Sequence, residues 1–454
     1  MSGALFPPGF TRAHLLATML FVLMLVYPIP HTIAFRNILL VAFLAGCAVP
    51  LRRAGRAAVA AALRPLRVAA VLMAVLTGWL LFQSALISER PAEALNMLRG
   101  DWLIGIIAAT AGAAAVLTLR VRGYAAKVPM LLRALALALF AHIALLLAYQ
   151  GWIWLAEGAF PFAHTPFAEK DYHTVVVTAL LGLLLADLLA WRLRGRGGLG
   201  LPAGVELAMA VATCVAAVTL SSRNAVIITV CLVALSAAVL LLLGRERLAG
   251  WLRPTLAALA LVAVALGWWG LRSDARWDNF VGSAAVAMQT EEHRAWLAPG
   301  LHPWPKTASG QPVEESAYLR LAWAKVALEQ VARYPLGLGY GHKAFGWAVN
   351  RSYDVQTGHE SSHSGLLDFT LANGIPGILL WLALSAALAR AGWHGFRRSG
   401  SPAGLMLAFT VAAYFLRCAL DGHLSGFRLE MYALLVGALL AALPAEAADA
   451  PDPA

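Results

Sequence analysis

Two kinds of side chain in this sequence suit chemistry at a boundary between lipid and water. The first is arginine in a nearly loop-free turn. Ser221-Ser222-Arg223-Asn224 joins two apolar blocks with almost no intervening chain. An ionisable group near membrane depth is a functional hypothesis by default. The guanidinium of Arg223 offers a rigid fork of donors that fits a phosphate; the plainer reading is an interfacial anchor whose head reaches water. Arg320 is a second candidate, with a surface ion pair to Glu315 or Glu329 as its plainer reading. Lys170 and Arg99 are further cations, read first as interface anchors.

The second kind is histidine, in Gly358-His359-Glu360-Ser361-Ser362-His363-Ser364-Gly365. His359 and His363 fit a His-Glu-x-x-His spacing, which on a helix puts two imidazoles on one face for zinc with Glu360 as base. Asp421, in Leu420-Asp421-Gly422, would be a third ligand, as in an intramembrane zinc protease. The pattern needs a regular helix, yet glycine precedes it and two serines fill its middle. The alternative keeps His363 as a general base, neutral near pH 7, or as a cap on the next helix. No metal and no cofactor are called for.

These residues need elements to hold them. Of 454 residues, 60% are hydrophobic and 13% charged, which is too apolar and too uncharged for an ordinary globular domain. The apolar blocks are long enough to cross a bilayer. The first shows no cleavage site and is read as a span. About twelve spans are predicted, near 15–33, 35–51, 68–87, 101–119, 130–149, 173–191, 203–221, 225–243, 254–271, 365–388, 403–420 and 428–443. Alternate short loops are rich in Arg and Lys: Arg52 to Arg67, Arg120 to Arg133, Arg192 to Arg196, Arg245 to Arg253 and Arg390 to Arg398. The positive-inside rule makes these cytoplasmic, with both termini. The net charge of +11 is therefore assigned to topology, and nucleic-acid binding is set aside. Cys47, Cys214, Cys231 and Cys418 all lie in apolar blocks and read as buried thiols.

The expected fold class is all-α, a polytopic membrane protein with one large, partly helical loop between helices 9 and 10. The division is 1–271 for nine spans, 272–364 for the loop on the outer side, 365–443 for three spans, and 444–454 for a disordered cytoplasmic tail. Within the loop, 314–334 reads as a helix with Ala317, Leu321, Ala324, Leu328 and Val331 facing a core and Arg320 and Trp323 pointing elsewhere. Pro335 ends it, and Gly337-Leu338-Gly339-Tyr340-Gly341 follows as a turn-forming run that could bring backbone close to a ligand.

Four pieces in order carry a family resemblance: Ser222-Arg223-Asn224; Tyr318-Leu319-Arg320-Leu321-Ala322-Trp323; Pro335 through Gly341; and His363 ahead of Gly374-Ile375-Pro376-Gly377. Together they resemble the O-antigen ligase and polymerase family over roughly residues 220 to 380. The family often has Asn after the histidine; Ser364 stands here. The resemblance implies a membrane glycosyltransferase of the GT-C type in the bacterial inner membrane, with its site facing the periplasm. Its donor would be a glycan on undecaprenyl pyrophosphate and its acceptor the lipid A–core oligosaccharide, both presented among membrane lipids. Arg223 and Arg320, with Lys170 helping, would hold the pyrophosphate, and His363 would be the base in an inverting, metal-independent transfer. A polymerase or a protein O-oligosaccharyltransferase are alternatives within the family. Asp187, deep in the sixth span, keeps a transporter in view.

Overall fold

The computed structural model describes residues 11–158, 165–243, 279–422 and 424–444, with isolated positions between 254 and 268. The expected ninth span (254–271) is largely outside the described residues, and the tail from 445 wholly so. The described chain is helical, with only isolated bridges of β type. Lipid offers no partner for a bare peptide group, so an apolar chain closes its hydrogen bonds within helices.

In chain order the helices are α1 (Arg12–Val26), α2 (Ile33–Arg53), α3 (Arg56–Leu63), α4 (Arg67–Phe82), α5 (Pro91–Met97), α6 (Ile104–Val121), α7 (Val128–Glu157), α8 (Lys170–Arg194), α9 (Ala203–Thr219) and α10 (Arg223–Leu243). Then come α11 (Phe280–Ala287), α12 (Glu315–Arg333), α13 (Ala344–Tyr353), α14 (Gly365–Ser399), α15 (Pro402–Leu420) and α16 (Gly426–Ala441). Among the described residues, eight helical stretches are long and apolar enough to cross a membrane. α1 and α9 are shorter apolar helices. α1 stops at Val26 rather than running to 33, because Pro28 and Pro30 withhold backbone donors. The chain is a polytopic, all-helical membrane protein.

Among the described residues, the basic loops around 120–133, 192–196 and 390–400 gather at one end. There Arg120 donates to the carbonyls of Ala441 and Leu443, each at 2.6 Å. Arg133 donates to Leu199 and Gly200, and Arg196 to Ser399. Asp187 is at this end too, accepting from the amides of Gly198 and Leu199, so it fastens the α8–α9 connection.

At the other end α11, α12 and α13 form a cap with its own core, built from Trp296, Tyr318, Trp323, Val326, Phe345 and Val349. Helix α12 matches the expected span, but its buried face is turned. Tyr318, Leu319, Ala322, Trp323, Val326 and Ala327 are buried, whereas Leu328 is 59% exposed and Trp323 only 6%. Alanine and leucine recur on both faces; the two large aromatics decide which face is covered, since they remove the most area from water.

Candidate functional site

The site begins with a break in α14. Gly374 adopts φ 73° and ψ 177°, and Pro376 has no N–H to give. In a regular helix the Leu371 and Ala372 carbonyls would accept from residues 375 and 376. Here the Leu338 and Gly339 amides take their place, at 3.0 and 2.9 Å, while the Ile375 amide donates to Pro335 at 2.8 Å. The indole of Trp79 donates to the Asn373 carbonyl at 2.8 Å. A Cβ on Gly337 would sit 2.5 Å from the Ala372 oxygen, and one on Gly374 would sit 2.4 Å from the Leu336 carbonyl carbon. The glycine turn is thus stitched to the helix break, and its Tyr340 and Gly341 line the cavity beside it. It delivers Tyr340 into the bundle, edge-on to Trp102.

His363 stands just before α14. The segment 355–364 is not helical, so the two imidazoles do not share a helix face. Both rings pack on one indole: His363 stacks on Trp323 at 5.2 Å and 15°, and His359 is tilted on it at 4.9 Å. The loop is shaped by Asp368, which accepts from the Ser361 hydroxyl at 2.7 Å and the Ser362 amide at 2.8 Å. Ser361 in turn accepts the His363 amide at 3.0 Å. His363 has φ 59°, in the left-handed region that few non-glycine residues adopt. Crowding by protein and the positive charge of Arg320 hold its imidazole below the ordinary histidine range; Asp421 and Asp171 pull the other way. His359 is lowered as well, by burial and by His363. A neutral ring facing a cavity can accept a proton.

The predicted cations lie close by, each engaged. Arg223 makes a two-pronged pair with Glu314, at 3.0 and 3.3 Å. Glu314 also caps α12, accepting the Ala317 amide at 2.6 Å. Arg320 donates to Asn224 at 3.3 Å, one turn of α12 before Trp323, in place of the expected partners Glu315 and Glu329. Lys170 donates to the Ser221 carbonyl at 2.5 Å. A continuous set of contacts therefore links α8, the α9–α10 turn, α12 and His363. Arg99 is exposed and bonds Asn96.

A cavity of about 450 Å³ opens beside His363. His363 lines it; Arg223, Arg320 and Lys170 do not. Its walls carry Asp101, Asp171, Glu360, Asp368, Asp421 and Arg428. Sequence reasoning passed over most of these. One signal was available: Arg417 and Asp421 stand four apart at the end of an apolar block. Arg417 is 1% exposed and donates to Thr174 at 2.6 Å and Asp421 at 3.0 Å.

These features define a class: a multi-pass helical membrane protein, capped at one end over a polar cavity with an accessible imidazole. The particular family follows from the chain itself. Residues 208–382 match the family described as O-antigen ligase, which supports membership of that family. Arg223, Arg320, Trp323, the glycine turn, His363 and the helix break all fall within it; Lys170, Asp421 and Arg428 lie outside. No curated protein matches the chain. The family is one of glycosyltransferase-like O-antigen ligases and polymerases.

Proposed function

We propose that this protein is an O-antigen ligase. It moves a glycan from a polyprenyl pyrophosphate to a sugar hydroxyl of the lipid A–core oligosaccharide, on the outer face of the inner membrane. The observation that carries this reading is the chain of contacts that links Arg223, Arg320 and His363 through Glu314, Asn224 and Trp323 within the matched domain. The acceptor hydroxyl gives its proton to the His363 imidazole as its oxygen bonds to the anomeric carbon. The bond from that carbon to the phosphate oxygen breaks, and the diphosphate leaves with the electron pair. Direct displacement inverts the anomeric centre. Charge grows on the leaving diphosphate, and fixed guanidinium donors stabilise such charge best where water is excluded. Arg320 and Arg223 supply them, Arg223 by exchanging Glu314 for phosphate, with Lys170 behind the turn.

The basic-loop end then faces the cytoplasm, and the cap, in the segment 272–364, faces the periplasm. The test is reconstitution of the purified protein with a polyprenyl-pyrophosphate glycan and lipid A–core, followed on gels. Lipid A–core carrying the glycan supports the ligase. Glycans lengthened on the polyprenyl carrier, with lipid A–core untouched, would make the protein a polymerase instead.

A further inference from the structure

The lining of the cavity beside His363 does not suit a diphosphate. Five carboxylates face it, from Asp101, Asp171, Glu360, Asp368 and Asp421, against the guanidinium of Arg428. Asp421 is paired with Arg417, and Glu360 lies 3.5 Å from His342 and 3.7 Å from Lys343, which temper the field without reversing it. Negative charge clustered in a cleft repels an anionic ligand.

A second observation says what the cavity does accept. The Tyr340 hydroxyl and the Asn373 side-chain oxygen belong to lining residues that are 2% and 1% exposed, and among the described residues neither atom has a hydrogen-bond partner. Buried polar atoms are normally satisfied, so such groups call for a ligand or water. One can donate and both can accept, which matches a polyol. Carboxylates likewise accept from sugar hydroxyls. The volume of about 450 Å³ lies within the usual range for ligand pockets, about 300–1,000 Å³.

We infer that this cavity receives the attacking sugar, and that it selects a unit free of phosphate and carboxylate. The inference rests on the reading of His363 as the base. The donor sugar is bonded directly to its diphosphate, and seating it here would bring both phosphates among the carboxylates. The acceptor sugar needs only its hydroxyl at His363.

The experiment measures binding by the full-length protein in lipid nanodiscs, without transfer. The probes are a neutral oligosaccharide of the core type and the same compound phosphorylated on its terminal sugar. The neutral compound is expected to bind at least about tenfold more tightly. In Asp171→Asn/Glu360→Gln, both positions being exposed, the preference narrows to about threefold or less, through tighter binding of the phosphorylated compound. Equal affinities in the parent protein, no binding of either probe, or an unchanged preference in the variant would each overturn the inference. A saturating polyprenyl-pyrophosphate glycan leaves the neutral probe bound; competitive displacement would assign the cavity to the donor. Because no transfer is read, a protein that turned out to be a polymerase would still pass or fail on its own terms.

Discussion

Three arginines at each end of the bundle are used in opposite ways. At the basic-loop end, Arg120, Arg133 and Arg196 end on backbone carbonyls. The last carbonyls of a helix have no partner within it, and a cation there satisfies both the hydrogen bond and the dipole. At the cap end, Arg223, Arg320 and Arg417 meet side chains: Glu314, Asn224, Thr174 and Asp421. A backbone carbonyl is fixed by the chain that bears it. A side chain can turn away when a substrate arrives. On the proposed mechanism the same residue serves as a staple where it meets backbone, and as an exchangeable donor where it meets a side chain.

The contrast breaks most visibly at His363. His363→Ala is expected to lower transfer by about 10²–10⁴-fold with little change in melting temperature, the range for loss of a general base. Transfer within a factor of a few of the parent would remove the imidazole from the mechanism. Arg320→Gln should cost about 10- to 100-fold and alter the pH profile. In the proposed mechanism the base works neutral, and Arg320 helps keep the His363 pKa below the ordinary value of about 6.5. The parent therefore stays active into acid and fails only as pH falls through that depressed value. Without the positive neighbour the folded-state pKa rises, so the acid limb moves to higher pH. A limb that stays put, or moves down, would separate Arg320 from His363.

Glu314→Gln sharpens the contrast in the other direction. The amide can still cap α12, but it no longer competes with phosphate for Arg223. The donor KM should fall severalfold, while the weakened ion pair costs about 1–3 kcal/mol of stability. A raised donor KM would mean that Glu314 orients Arg223 rather than competing for it. The smallest effect on rate belongs to the staples. Arg120→Gln should leave transfer per folded molecule unchanged and cost about 2 kcal/mol in stability, the worth of a charged hydrogen bond. A loss of activity exceeding the loss of folded protein would count against the division between the ends.

The sequence was most legible where one strong force acts alone. Hydrophobic length marked the long spans, and the bias of Arg and Lys marked the basic end that the structure gathers together. Helix α12 was legible in extent but not in phase, because its small apolar residues fall on both faces. Arg320 and Arg223 were visible as cations, but Glu314 and Asn224 as their partners were not. Those contacts span 91 and 96 positions along the chain, and no local pattern encodes them. The carboxylates of the cavity were hidden for the same reason. They come from the turn before α6, from α8 and α14, and from the ends of other elements, and only the fold collects them.

The seam between the glycine turn and α14 has a consequence for how this architecture is written in a chain. Its bonds run from peptide to peptide, so no particular side chain is asked for there. What it does require is missing atoms: a hydrogen where a β-carbon would collide, and a ring nitrogen that has surrendered its proton. Apart from Tyr340 and Asn373, which line the cavity, a variant library across 335–341 and 371–377 should therefore read as a map of forbidden bulk rather than of required chemistry.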